Sequence, residues 1–296
     1  MTWFWGNRSS VATISSPILR TFCQGKTGAD GFIRIPNHVE GLKDFEPATA
    51  ELLRPLSSVN NTIVVVGSHD ITLDILADQI KAKYSRLTLS SSHVGSLGGL
   101  MAIKKGVCHL AGSHLLDIED GAYNISYIQK YLAADSPPKG VRLVQLVFRD
   151  QGLIVAPGNP KNIKGIEDIV RDDITFINRQ GGSGTRILLD YRLKQLDLNP
   201  AEINGYETEE FTHMSVAVAV LSGTVDVGLG ICAAARALNL DFVPVVTEQY
   251  DLVIPQMYFD SENIRVLLET INTKKFKKRV DKLGGYSTEK TGDILL

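Results

Sequence analysis

Two guanidinium groups, three hydroxyls and three glycines fall within the run TFINRQGGSGTR, from Thr175 to Arg186. The chemistry this composition suits is the holding of an anion. Gly181, Gly182 and Gly184 let the backbone fold closely, so that several N–H groups can converge beside the positive end of a following helix. Ser183 and Thr185 add hydroxyl donors, and the forked guanidinium groups of Arg179 and Arg186 match a tetrahedral or planar oxyanion. The alternative is a tight strand-to-helix turn whose serine or threonine only caps the helix. Nucleotide hydrolysis is disfavoured, because Arg186 follows Thr185 where a phosphate-binding loop would need Gly-Lys followed by Ser or Thr.

Other reactive side chains form no comparable group. The six histidines include His69 beside Asp70, with His93, His109, His114 and His213 near expected strand ends or turns, but neither HExxH nor CxxC spacing occurs. A Ser-His-Asp triad can be written from Ser68, His114 and Asp226. However, no GxSxG elbow accompanies it, and Asp226 in TVDVGLG reads as closing a turn before a strand. Catalysis by this chain alone is therefore not expected, and no metal or cofactor is required. Cys23, Cys108 and Cys232 are too scattered for a disulfide framework, which fits a reducing compartment. Cys108 and Cys232, in apolar runs, are expected to be buried.

The elements that must position these residues follow a strand-turn-helix scheme. Thr62 to Asp70 (TIVVVGSHD) is an apolar run ending in a Gly-Ser turn, and the helix-period stretch ITLDILADQIKAKY follows. The scheme recurs with a strand at Leu87 to Leu89 and a helix at Leu97 to Lys105, and a third strand starts at Val107. Each of the three strands ends in small polar residues: Ser68, then Ser91 to Ser96, then Gly112 and Ser113. In an open parallel sheet such ends share one edge, where ligands bind. VRLVQLVFRDQGLIVAPGNP reads as an extended crossing between lobes, KNIKGIEDIV as a short helix, and HMSVAVAVLSG, VDVGLG and ICAAARALNL as helix, strand and helix. A last strand pair, FVPVV and YDLVIPQMYF, brackets Glu248, Gln249 and Tyr250, and terminal helices carry a solvated basic face of Lys274, Lys275, Lys277 and Lys278.

The balance of 31 basic and 33 acidic residues, net charge −2 over 296 residues, gives no general attraction to nucleic acid or to an anionic membrane, so any anion must be held locally. The opening lacks a secretory pattern and no run of about 20 apolar residues occurs, so a cytoplasmic protein without a membrane span is expected. Residues 1–57, with the strand-like FIRIP, read as a β-rich appendage. Residues 58–296 read as the main α/β domain, with one lobe at about 58–148 plus 245–296 and the other at about 149–244.

This order of elements resembles the type II periplasmic-binding-protein fold, two α/β lobes with a ligand cleft between them. More narrowly, VVVGSHD, SSHVGSLGGLMAIKKGVCHLAGSHLLD, INRQGGSGTR and AVLSGTVDVGLG resemble the binding-protein-like domain fused to MoeA-type molybdopterin molybdotransferases, a domain found also on DNA-binding regulators. GADGFIRIPNHVEGL, at 28 to 42, is similar to the final β segment of those enzymes, whose upstream catalytic motifs this chain lacks. The resemblance implies that Arg179, Ser183, Gly184 and Thr185 contact a ligand, matching an Arg-x-x-x-Ser-Gly-Thr phrase of tungstate- and phosphate-type receptors. It also implies that Ser68, Ser96 and Ser113 present donors from the first lobe. The ligand expected is molybdate, tungstate, a related small anion or a pterin, and the expected partners are molybdenum-cofactor biosynthesis proteins. The alternatives are an effector-sensing domain of a regulator, or a part of a molybdotransferase acting in trans.

Overall fold

The computed structural model describes residues 60–117, 121–132 and 140–296 in full, together with the backbone of three earlier strands. Those strands, β1 (Val11–Ile14), β2 (Gly31–Ile33) and β3 (Ala48–Leu52), form an antiparallel sheet with β3 in the middle. The rest of residues 1–59, including most of the 28–42 segment, lies outside the described residues.

The first lobe is built on β4 (Thr62–Gly67), whose six residues are all buried. An apolar run with no polar alternation is what a strand covered on both faces requires. On one face, Ile63 and Val65 meet Leu73, Leu76 and Ile80 of α1 (Ile71–Lys83), Ile264 and Leu267 of α8 (Glu262–Ile271) and Phe276 of α9 (Lys274–Asp281). On the other, Val64 and Val66 meet Leu100 and Ile103 of α2 (Gly95–Lys104) and Ile128 of α3 (Ile125–Tyr131). β5 (Thr88–His93) runs parallel to β4 along its whole length. β6 (Ala111–Ser113) lies on the other side, joined through the parallel bridge Val65↔Leu110 and the Ser68 N–H to Gly112 carbonyl bond of 2.9 Å. The three strand ends therefore share one edge, as their sequence pattern implies.

Two 15-residue strands, β7 (Val141–Val155) and β11 (Asp241–Pro255), pair antiparallel from end to end and belong to both lobes. In the second lobe β7 also pairs with β10 (Val227–Ile231), and β8 (Phe176–Arg179) and β9 (Glu209–Glu210) continue the sheet. Its faces are covered by α4 (Gly184–Gln195) on one side, and by α5 (His213–Leu221) and α6 (Cys232–Ala237) on the other. After the four-residue α7 (Gln256–Phe259), α8 and α9, the chain returns to the crossing, where β12 (Tyr286–Ser287) pairs with Phe148 and Arg149.

Four local expectations change. The strand pair at 242–259 is one strand followed by α7, because no turn-forming residue separates Val246 from Tyr250. The third strand begins at Ala111 rather than Val107: the His109 ring takes the Val64 N–H at 2.9 Å and displaces a ladder carbonyl. The helix at 161–170 is a single 3-10 turn, Ile166–Val170, its start held by the Asp168 carboxylate accepting from Lys164 N–H. Cys108 is buried as expected, but Cys232 is half-buried, against the Gly285 turn.

Gly152 fixes how closely β7 and β11 approach at the crossing. It faces Pro244, and a β carbon there would lie 2.2 Å from the Val243 carbonyl and 2.9 Å from Pro244 Cα. Gly152→Ala is expected to lower stability by about 1–3 kcal/mol or more through backbone displacement, measured by urea unfolding; an unchanged midpoint would refute this account of the crossing.

Candidate functional site

The polar residues of the crossing face the edge where the lobes meet. Arg149 and Gln151 are two apart on β7 and so project from the same face, and Glu248 stands directly opposite Arg149 on β11. Arg149 is fully buried. Its Nε donates to Glu248 Oε1 at 2.5 Å and its Nη1 to Asp70 Oδ2 at 2.5 Å. Asp70 also caps α1, accepting from the Thr72 N–H at 2.8 Å, and receives the Tyr286 hydroxyl at 2.8 Å. Burial alone would push both carboxyls up. The Arg149 charge, joined by the Thr72 hydrogen bonds at Asp70 and by His114 at Glu248, outweighs it, bringing Glu248 down to about 2 and holding Asp70 below its ordinary value.

A chain of hydrogen bonds runs from this cluster into the first lobe. Glu248 Oε2 lies 2.9 Å from His114 Nδ1, and His114 Nε2 lies 2.9 Å from Ser68 Oγ. An ionised carboxylate only accepts, so Nδ1 carries the proton, and a neutral ring then accepts the Ser68 hydroxyl at Nε2. Burial lowers the His114 pKa, with Arg149 and Arg179 adding to the effect against Glu248. The sequence pairs Ser68 and His114 with Asp226, but the structure puts Glu248 in that place. Asp226 instead accepts from the Thr175 N–H at 2.8 Å, closing the turn before β10. Although the order Ser68–His114–Glu248 is that of a hydrolase relay, the carboxylate is shared with Arg149 and the depressed imidazole is a weak base.

The second lobe meets this edge with the turn singled out in the sequence. A β carbon at Gly184 would lie 2.5 Å from the His114 ring, and one at Gly95, opening α2, would lie 3.3 Å from the Gly182 carbonyl. Glycine at these two positions lets the lobes touch backbone to ring and backbone to backbone. Ser183 caps α4, its Oγ accepting from the Arg186 N–H at 3.2 Å, and Ser96 Oγ accepts from the His114 N–H at 3.2 Å. Arg179 is 2 % exposed. Its Nε and Nη2 donate to the carbonyls of Glu210 (3.1 Å) and Phe211 (2.9 Å), and Nη2 also reaches Gln180 Oε1 at 3.2 Å. Its Nη1 has no hydrogen-bond partner among the described residues, nor has Thr185 Oγ1. Burial and then Arg149 lower the Arg179 pKa to about 10, so the group remains charged at neutral pH.

Of the residues expected at the site, Ser68, Ser96, Arg179, Ser183, Gly184 and Thr185 are thus brought to one seam between the lobes. Ser113 is turned the other way: its hydroxyl donates to Asn124 Oδ1 at 2.8 Å, and Asn124 in turn donates to Asp251 at 2.8 Å. Strand alternation explains this, since Gly112, not Ser113, faces Ser68 and the Tyr250 hydroxyl. Arg186 also leaves the site, stacking on Tyr206 and pairing with Asp190 and Glu209. Arg149 and Gln151, absent from the residues expected at the site, lie here too, as does His213, the first residue of α5 in the run HMSVAVAVLSG expected as a helix. Their signal was polar side chains inside apolar strands and at a helix start. Among the described residues no group of three His, Cys, Asp or Glu side chains could hold a metal ion, and no helix is long and apolar enough to cross a membrane.

Comparison with known proteins gives a consistent picture. Residues 77–272 match the model of the PBP superfamily domain. The uncharacterized protein YvgK of Bacillus subtilis (strain 168) is 36% identical over 233 residues, covering 79% of this chain and 73% of that protein. An uncharacterized Clostridium pasteurianum protein from the 5′ region of a 2Fe-2S ferredoxin gene is 36% identical over 110 residues, 37% of this chain and 97% of that one. Among solved structures, a candidate phosphate ABC transporter substrate-binding protein from Clostridium perfringens with bound phosphate superposes with TM-score 0.55 at 14% identity, over 75% of this chain and 98% of that one. A tungstate ABC transporter protein from Geobacter sulfurreducens gives 0.54 at 13%, over 75% and 99%. The substrate-binding domain of a candidate molybdenum ABC transporter from Clostridium difficile gives 0.50 at 16%, over 76% and 97%. At these identities the likeness shows the two-lobed α/β fold.

The Arg149 cluster has a pH signature. Glu248 has its pKa depressed on folding, so its contribution to stability is present above the ordinary carboxylate pKa and is lost as pH falls through about 2. Glu248→Gln is expected to be less stable than the parent by a few kcal/mol at pH 7, with the gap narrowing as pH falls from about 5 toward 2. Denaturant unfolding across that range measures it, and a pH-independent gap would contradict the assignment.

Proposed function

This chain belongs to the PBP superfamily, and from that premise we propose that its two lobes close around a small anion at the seam carrying Arg179. The observation that carries this reading is the state of Arg179: a buried guanidinium with carbonyl and amide partners and, among the described residues, no carboxylate bonded to it and one nitrogen unpartnered. A charge so placed is costly to desolvate, and an anion beside it removes much of that cost. Arg149 also has one unpartnered nitrogen, Nη2, but its charge is already compensated by Asp70 and Glu248. The starts of α2 and α4, with Ser96, Ser183, Gly184 and Thr185, add oriented donors on either side.

In its oxyanion form the reading takes molybdate or tungstate, with the chain acting in the cytoplasm as a binding partner of molybdenum-cofactor biosynthesis. Its support is the motif likeness at 91–117 and 177–186 and the oxyanions named for the structural neighbours. A second form, in which the ligand is a pterin or other small metabolite, is favoured by acceptor atoms at the same seam, Gln151 Oε1 among them.

Titration calorimetry with molybdate, tungstate, sulfate and phosphate tests the anion site. Binding by at least one of them is expected, with Arg179→Ala weakening it by roughly tenfold or more. Lys275→Ala, on the exposed face of α9, is expected to leave the affinity as it was. Equal affinities in the two variants would remove Arg179 from the site.

A further inference from the structure

Buried polar atoms without partners gather at the seam, and they are not all donors. Gln151 is fully buried, and neither of its amide atoms has a hydrogen-bond partner among the described residues. The amide lies close enough to Glu248 to help keep that carboxyl low, though outside hydrogen-bond geometry. Only its NH2 end can favour a carboxylate, so Oε1 is the end turned from Glu248. His213, 3 % exposed, has both ring nitrogens unpartnered among the described residues. It opens α5 with its ring against Gly230, where a β carbon would stand 3.6 Å from Nδ1. Burial, then Arg179, Arg149, His114 and His69, lower its pKa, so the ring is neutral and one nitrogen is a bare acceptor. Ser68 adds a third acceptor: while its hydroxyl proton points to His114, only lone pairs remain for a ligand.

Molybdate, tungstate and sulfate are fully ionised at neutral pH and carry only acceptors. Bound beside Arg179, they would satisfy that guanidinium and the Thr185 hydroxyl but leave Gln151 Oε1 and the bare His213 nitrogen unpaired and buried. Each buried polar group left unpaired weakens affinity by roughly tenfold or more. We propose that the seam selects an anion bringing hydrogen-bond donors of its own, a protonated phosphate or a hydroxy- or amino-carboxylate, with Gln151 and His213 as the acceptors that distinguish it from acceptor-only oxyanions. The inference rests on the anion site proposed above and narrows the class of ligand.

Calorimetry on the full chain compares molybdate and sulfate with inorganic phosphate, L-lactate and L-alanine, three sources of the same donor-bearing chemistry. At least one of these three is expected to bind tenfold or more tightly than both molybdate and sulfate. His213→Phe and Gln151→Met, checked for an intact melting transition, are expected to reduce that ratio at least fivefold, and His213→Gln, which restores an acceptor, to recover part of it. Molybdate or sulfate binding as tightly as every donor-bearing probe would overturn this inference while leaving the anion site standing. So would a ratio that neither apolar variant alters. Absence of binding by all five probes and by tungstate would overturn both.

Discussion

Arg149 holds the centre of the molecule together by charge. It sits on the strand shared by the lobes, with Asp70 from the start of α1 on one side and Glu248 from the opposing strand on the other, all three essentially without solvent. Buried ion clusters seldom add much net stability, since desolvation consumes most of the attraction. What such a cluster does supply is a demand for geometry. Both carboxylates must be where the guanidinium is, which fixes α1, β11 and, through the Tyr286 hydroxyl, the returning tail against one another.

The remaining polar geometry follows from that placement. With Glu248 kept ionised by Arg149, His114 must present a proton to it and an acceptor to Ser68. His114 is then rigid enough to serve as the surface on which Gly184 of the second lobe rests. Arg179 arrives by a different route, at the end of β8, and no carboxylate follows it there. The seam thus contains one compensated cation and one that is not, and the proposed anion site rests on this asymmetry.

How much of this was legible in the sequence depended on range. The apolar run at 62–67, the helix-period stretch after it and the turn at 179–185 are encoded within about a dozen neighbouring residues each, and the structure places them as their patterns imply. Ser113 failed because a strand end of three residues has two faces, and composition does not say which one meets the ligand. Arg149 and Glu248 are 99 residues apart, and His114 and Glu248 are 134 apart. No local pattern links them, although charged groups inside the apolar runs VRLVQLVFRDQGLIV and DFVPVVTEQYDLVIP required buried partners somewhere. The merging of two expected strands into β11 has the same origin. The ladder runs on through Pro244, absorbing it in an irregular register opposite Gly152.

That ladder slips twice along β11, between Pro244 and Val246 and again between Tyr250 and Asp251. Glu248 lies on the short length between the two slips, and Arg149 faces it. A paired ribbon is stiff along its hydrogen bonds but yields where the register changes. Any rocking of one half of the molecule against the other would therefore concentrate at two points, with the Arg149–Glu248 pair between them like the pin of a double-jointed clasp.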